Sequence, residues 1–278
     1  MRNNEFAKRN INKAYTHAGI FHADDVFSTA FLKFLNPNIV IERVFKVPEL
    51  ADDAIAFDIG GGEFDHHQEL EFRDEEKKLP YAAFGKLWRA FGHDIVDDIG
   101  WKMIDKNLVV PIDMHDNGYG KDVGPNTMSI FISNFNPQWD TNEDMNVAFG
   151  HAVEAAHMVL QNFFSKANSI DKAVEIIEGK KDDEYYKNKI LVLDQYIPWK
   201  DIVKEIDGID VIFAVYPSTR GGYCIESINS SKYPLPYKWT QEMPEGMTFV
   251  HISRFLAAVD TKERAVEYAM QAKEICGY

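Results

Sequence analysis

The chain has 278 residues, 30 of them Lys or Arg and 44 Asp or Glu, for a formal net charge of −14 with His neutral. With 45% hydrophobic and 27% charged residues it sits near the globular average, which excludes intrinsic disorder, collagen-like repetition and coiled coil. The acidic excess argues against wrapping long duplex nucleic acid, since phosphate neutralisation supplies most non-specific affinity. The length suits two domains or one large one. No signal-peptide pattern opens the sequence, and no run approaches the ~18 apolar residues of a membrane-spanning helix, so a cytoplasmic protein without membrane contact is expected. Cys224 and Cys276 are the only cysteines, and two reduced thiols are the default.

Short apolar runs alternating with helical patterns predict an α/β fold with a parallel sheet in the first half. Lys13 to His17 reads as a strand, and Asp24 and Asp25 open a helix that ends before Pro37. Ile39 to Phe45 and Ala54 to Ile59 read as the next strands, the latter stopping at Gly60-Gly61-Gly62. Tyr81 to Phe91 and Asp98 to Leu108 read as helices, and Glu143 to Glu178 as a helical connector. The polar stretch from Gly179 to Glu184 sets the expected boundary, giving domains over 1–182 and 183–278. Beyond it, Ile190 to Leu193, Val211 to Val215, Tyr223 to Ile228 and Phe249 to Ile252 read as strands and Thr261 to Ile275 as a final helix, a smaller mixed α/β domain. The acidity is concentrated in the first part, net −11 on residues 1–182 against −3 on 183–278.

Four of the nine His lie between positions 17 and 67, each near Asp. His17, His22, Asp24 and Asp25 fall at a strand end and helix start, the edge where open α/β sheets bind ligands. Asp58 ends a strand, and the glycines after it let the chain turn back so that Asp65, His66 and His67 return to the same edge. The string from Asp113 to Gly118 adds a carboxylate, Asp116, from a turn. Singly, Asp24 reads as a helix cap, the Gly run as a hairpin, and Asp116-Asn-Gly as a type I′ turn. Together they make a metal site, and three His with three or four Asp exceed what one ion needs, so two ions sharing a carboxylate fit better. Mixed imidazole and carboxylate donors suit Mn²⁺, the expected ion, or Fe²⁺ or Zn²⁺.

Asp58 followed by Asp65-His66-His67 resembles the middle motifs of the DHH phosphoesterase superfamily. With Thr16-His17, His22-Ala-Asp24-Asp25, Asp116-Asn117-Gly118 and Phe249-Val250-His251, the match narrows to the Myg-type family, whose eukaryotic members are described as 3′-5′ RNA exonucleases. The resemblance implies a DHH-type catalytic domain. His17 and His22 would bind one ion, Asp58 would bridge both, and Asp24, His66 and Asp116 would complete the second. His67 would face the substrate. His22 departs from the superfamily, where Asp is more usual, and the added imidazole favours softer ions. The superfamily's Gly-rich phosphate motif is replaced by Ser253-Arg254-Phe255-Leu256-Ala257-Ala258, leaving Arg220, Arg254 and His251 as candidate phosphate contacts.

The expected function is a two-metal phosphohydrolase, an exonuclease on short single-stranded RNA or a phosphodiesterase on small nucleotides, in which a metal-activated water attacks phosphorus in line. A homo-oligomer is compatible with this reading. The alternatives are a pyrophosphatase-like hydrolase of a non-nucleotide phosphoester and a non-catalytic metal- or nucleotide-binding regulator. Tyr223, Tyr233, Tyr237, Trp239 and Phe249, interleaved with Arg220, Lys232, Lys238 and Arg254, suit base stacking if they are not core.

Overall fold

Residues 4–74, 76–119, 127–205 and 209–278 are described by the structure, a computed structural model, and they fall into two units, Met1–Ser169 and Ile170–Tyr278. The boundary lies inside one long helix, ahead of the polar stretch from Gly179 to Glu184. Among the described residues no helix is long and apolar enough to cross a membrane.

The first unit opens with Glu5–Lys8 (α1), capped by the Asp94 carboxylate, which accepts from the backbone N–H of Glu5 and Phe6. Lys13–His17 (β1) then forms the centre of a parallel three-stranded sheet, flanked by Val40–Val44 (β2) and Ala54–Ala56 (β3). Ala23–Leu35 (α2) crosses from β1 to β2. Asp24 and Asp25 suit its positive N-terminal end, and it stops at Asn36 because Pro37 follows. The third strand is shorter than the reading to Ile59. After Ala56 only Phe57 bridges Phe64, and Asp58 takes a left-handed φ of 56° that no strand residue adopts.

Phe72–Asp74 (β4) and Leu79–Pro80 (β5) form a short antiparallel ribbon before Ala83–Phe91 (α3). The helix begins at Ala83 rather than Tyr81 because Tyr81 N–H donates to the Glu71 carbonyl, while the N–H groups of Ala83 and Phe84 donate to the Asp24 carboxylate. Helical turns then run through Asp98–Ile104 (α4), a π-type turn Asp105–Val109, Val110–Met114 (α5) and a second π-type turn His115–Tyr119. Asp116 therefore sits on a helical turn and not in a type I′ turn, its reading when taken singly; within His115–Tyr119 only Gly118 leaves helical geometry, at φ 83°. Met128–Ser133 (α6) and Met145–Glu178 (α7) follow. Phe27, Phe31, Phe84, Trp88 and Phe164 form an aromatic core, with Trp88 stacked on Phe164 at an interplanar angle of 5°.

The second unit holds Glu184–Lys187 (α8), Ile190–Val192 (β6), Trp199–Glu205 (α9), Phe213–Pro217 (β7), Tyr223–Ser227 (β8), Met247–Val250 (β9), Leu256–Val259 (β10) and Lys262–Cys276 (α10). Its five-stranded sheet has the order β6-β7-β8-β10-β9, with only β6 and β7 parallel. Four strands match the sequence pattern within a few residues; β10 does not announce itself, because Leu-Ala-Ala-Val has weak strand propensity and is extended by pairing with β8 on one side and β9 on the other.

One buried ion pair ties β4 to α5: Arg73 Nη1 lies 2.6 Å from Asp113 Oδ2, with the Arg73 side chain 8% exposed and Asp113 fully buried. Asp113 Oδ1 accepts the Gly85 N–H at 3.1 Å, so this carboxylate also caps α3. A Cβ at Gly85 would overlap both the Asp113 carboxylate and the Arg73 guanidinium. Gly to Ala in a helix ordinarily stabilises by about 1 kcal/mol. Gly85→Ala should instead destabilise by about 2 kcal/mol or more, since it displaces a buried charge pair; denaturant unfolding checks the sign.

Candidate metal centre

The C-terminal ends of β1 and β3, the start of α2, the Gly60–Gly62 return and the π-type turn at His115–Tyr119 converge on Asp58. Local hydrogen bonds set each part. Asp58 N–H donates to the Phe64 carbonyl and Gly61 N–H to Asp65 Oδ2, which folds the glycine turn back and returns Asp65 and His66 to the strand edge. Positive φ at Gly60 and Gly61 makes that return sterically open. Lys86 Nζ donates to the Asp65 carbonyl from α3, and Asn117 Nδ2 donates to the carbonyls of Tyr81 and Asp113, holding the turn that carries Asp116. The loop before α2 is pinned by Asn136, which both accepts from and donates to the Phe21 backbone.

Three donor groups share Asp58: one with His17 and Asp25, one with Asp24, His66 and Asp116, and one with Asp65, His66 and His67. In the first, His17 Nε2 lies 3.2 Å from Asp58 Oδ2 and 3.3 Å from Asp25 Oδ2. The second joins Asp24, Asp58, His66 and Asp116, with His66 Nε2 2.9 Å from Asp116 Oδ2 and His66 Nδ1 3.6 Å from Asp58 Oδ1. Asp24, Asp25, Asp58 and His66 are all buried. Asp25 Oδ2, Asp58 Oδ1 and His66 Nδ1 are buried without a hydrogen-bond partner, an arrangement that costs on the order of 1–3 kcal/mol per group unless something satisfies it. Clustered carboxylates with imidazole and unpaired lone pairs fit divalent cations such as Mn²⁺, Fe²⁺ or Zn²⁺.

The electrostatics show the same unbalanced charge. Burial, then the neighbouring charges of Asp58, Asp116 and Asp113, raise Asp24 well above the usual carboxylate range. Burial lifts Asp25 to about 7 against the pull of His17. For His17, burial opposes protonation, but its hydrogen bond to Asp58 and the charge of Asp25 prevail and lift it to about 9. His66 is raised likewise, its contact with Asp116 outweighing burial. Asp65 goes the other way: burial is outweighed by hydrogen bonds from Gly61 and His67, which keep it ionised.

The structure brings His17, Asp24, Asp58, His66 and Asp116 together and adds Asp25, which the sequence places in the first cluster without a ligand role of its own. Its signal was the second of two adjacent acids, three residues after His22; Asp25 Oδ1 accepts the His22 N–H at 2.8 Å, and its other oxygen faces His17. His22 stands at the rim, 60% exposed, with Nδ1 3.8 Å from Asp116 Oδ1, and is not in the group around His17. His66 and His67 do not diverge to opposite faces, as an extended segment would require. Their rings stack at 4.4 Å, because the segment is irregular there. His67, 55% exposed, hydrogen bonds Asp65 Oδ1 through Nδ1 at 2.7 Å.

In the second unit, Arg220 lies in the turn between β7 and β8, whereas His251 and Arg254 lie in the turn between β9 and β10. The register Leu256↔Glu226 and Val259↔Tyr223 puts these turns at opposite ends of the sheet, roughly 13 Å apart or more for a five-residue strand. They do not converge on one phosphate. Arg254, at φ 57°, has Nη1 3.5 Å from the Leu235 carbonyl, and His251 Nδ1 accepts from Ser253 N–H. Trp239 is core, 1% exposed, so of the aromatics considered for stacking only Tyr237 and Phe249 present large exposed faces.

The model of the MYG1_exonuc family, described as "Uncharacterised protein family (UPF0160)", matches residues 13–272. The chain is similar to the MYG1 protein of Dictyostelium discoideum, at 22% identity over 92% of this chain and 94% of that protein. It is also similar to a MYG1 protein of Schizosaccharomyces pombe, at 26% over 95% and 98%, and to one of Caenorhabditis elegans, at 27% over 94% of each. No solved structure matches it significantly.

In the metal-free protein, thermal stability should fall by several degrees between about pH 5 and pH 9. The contribution of Asp25 is complete below its unfolded value of 3.8 and is lost as pH rises through about 7. That of His17 is complete below 6.5 and is lost through about 9. With saturating Mn²⁺ the slope should flatten or reverse, because cations compete with protons for the same atoms; melting curves with and without chelator measure it.

Proposed function

The chain belongs to the MYG1 family, and on that premise we propose that it is a metal-dependent phosphohydrolase acting on phosphodiester bonds in short single-stranded RNA or small nucleotides. The observation that carries the reading is Asp58, a buried carboxylate common to all three donor groups. The resemblance to DHH phosphoesterases supports the same assignment. His17, Asp25 and Asp58 would hold one divalent ion, and Asp24, Asp58, His66 and Asp116 the second. His22 is 3.8 Å from Asp116 at the rim, where it can complete a shell or meet substrate. When bound, two such ions lower the pKa of water and neutralise charge on a phosphoryl group.

The remaining chemistry belongs to the protein. Asp24 is held by two backbone N–H groups of α3, so its position is fixed before any ligand arrives. His67 is suited to proton transfer: Asp65 accepts its Nδ1–H, which fixes the tautomer and leaves Nε2 for a substrate oxygen. A cavity of 390 Å³ lined by His22, His66, His67, Gln68, Asp116 and Asn117 offers room for a nucleotide-sized group beside it. The −11 charge over residues 1–182 favours a small substrate over a long duplex.

The experiment is turnover beside metal content for three variants, with Mn²⁺ and a few-nucleotide RNA. His66→Ala should weaken metal binding about 10-fold or more. His67→Ala should retain metal and lose about 10²-fold in turnover, the scale of a positioned acid or base. Asp58→Asn should lose both. Chelation should abolish hydrolysis, and long duplex should be cleaved more slowly than short RNA. Full activity in Asp58→Asn, or metal loss in His67→Ala with retention in His66→Ala, would reject these roles.

A further inference from the structure

A second cavity in the first unit, of 330 Å³, is lined by residues of α2, β2 and the first turns of α7, among them Thr29, Lys33, Arg43, Asn146 and Phe149. None of its lining residues belongs to the groups around Asp58. Its chemistry is opposite in sign. Two cations line it and no Asp or Glu does, within a stretch of chain that carries net −11.

The hydrogen-bonding inventory is incomplete in a way that points to a ligand. Arg43 Nη2 donates to the Gly19 carbonyl at 2.6 Å, and Nη1 to Asn146 Oδ1 at 3.0 Å and the Met145 carbonyl at 3.4 Å, all neutral oxygens. Its guanidinium carbon sits 4.4 Å from the Phe149 ring centroid, and its Nε is buried with no partner. Thr29 is 1% exposed and its hydroxyl also has no partner, although a helical Thr can satisfy itself on the carbonyl one turn back. Buried unpaired donors are rare. Both residues line one cavity, with the exposed Lys33 ammonium beside them.

An acceptor that takes one hydrogen bond from a hydroxyl and one from a guanidinium, and faces two cations in a lining that holds no Asp or Glu, is an anion with several oxygens. A phosphate group offers three oxygens and up to two charges, a better match to this donor set than a carboxylate. The apolar wall of Ile41, Phe149 and Val153 suits an organic remainder. We propose that this cavity binds the phosphate group of a phosphomonoester, at a site distinct from the Asp58 centre. The inference does not depend on the protein being a hydrolase.

The test is calorimetric titration and thermal shift of the full chain with inorganic phosphate and with adenosine 5′-monophosphate, against sulfate and acetate at equal ionic strength. Both phosphate probes should bind and raise the melting temperature, and acetate should not. Tighter binding of the nucleotide assigns the site to an organic phosphomonoester, and equal binding to free phosphate. Thr29→Val and Lys33→Glu should each weaken binding about tenfold or more. Thr29→Val should leave the ligand-free melting temperature unchanged or raised, because its hydroxyl has no partner to lose. His66→Ala, in the other centre, should retain the binding. Absence of any phosphate-dependent shift, undiminished binding in Thr29→Val, a lowered ligand-free melting temperature in that variant, or loss of all phosphate binding in His66→Ala would each overturn the proposal.

Discussion

Buried negative charge in excess of the protein cations around it is the constraint around which the first unit is organised. Asp24, Asp25, Asp58 and Asp116 crowd one sheet edge, and the basic groups in contact with them there are imidazoles. Effective desolvation costs several kcal/mol per buried ion, against a net stability of about 5–15 kcal/mol for a domain. Such a cluster persists only if protons or cations neutralise it, which is the state the raised Asp24, Asp25, His17 and His66 describe.

The scaffold makes that cluster rigid. Asp24 caps α3 with both oxygens, Asp25 closes the first turn of α2, and Asp113 caps α3 while pairing with Arg73. These are helix-terminus interactions, each placing a negative group on the positive end of a helix. The same residues therefore serve folding and site geometry. Asp113 shows where the two roles part: it is as buried as Asp24, but Arg73 claims it, so it is a brace and not a donor. The aromatic core of Phe31, Phe84, Trp88 and Phe164 supplies the opposing stabilisation, at about 1.5–3 kcal/mol per large buried side chain.

The site's asymmetry also bears on substrate choice. Its exposed rim consists of His22 and His67, while its floor is carboxylate. In the second unit the antiparallel register separates Arg220 from Arg254. Within each unit, recognition rests on the residues gathered at one place and not on the inventory of basic residues along the chain.

Much of this was legible in the sequence. Period-two apolar runs and helix stop signals located β1, α2, α7 and α10 to within a few residues, because local propensity and tertiary packing agree there. The conjunction of His17, Asp24, Asp58, His66 and Asp116 was visible as well, since strand ends and a glycine return limit where those side chains can go. What the sequence could not show depends on contacts between distant segments. β10 is a strand because two neighbours extend it, and Asp116 is helical because Asn117 anchors its turn to Tyr81. His66 and His67 stack because the chain between Phe64 and Leu70 is irregular. Asp25 joins the cluster only because β1 and α2 aim its free oxygen at His17. Spacing along the chain determines which residues approach an edge; the direction each side chain takes on arrival is decided by the packing of the elements that carry it.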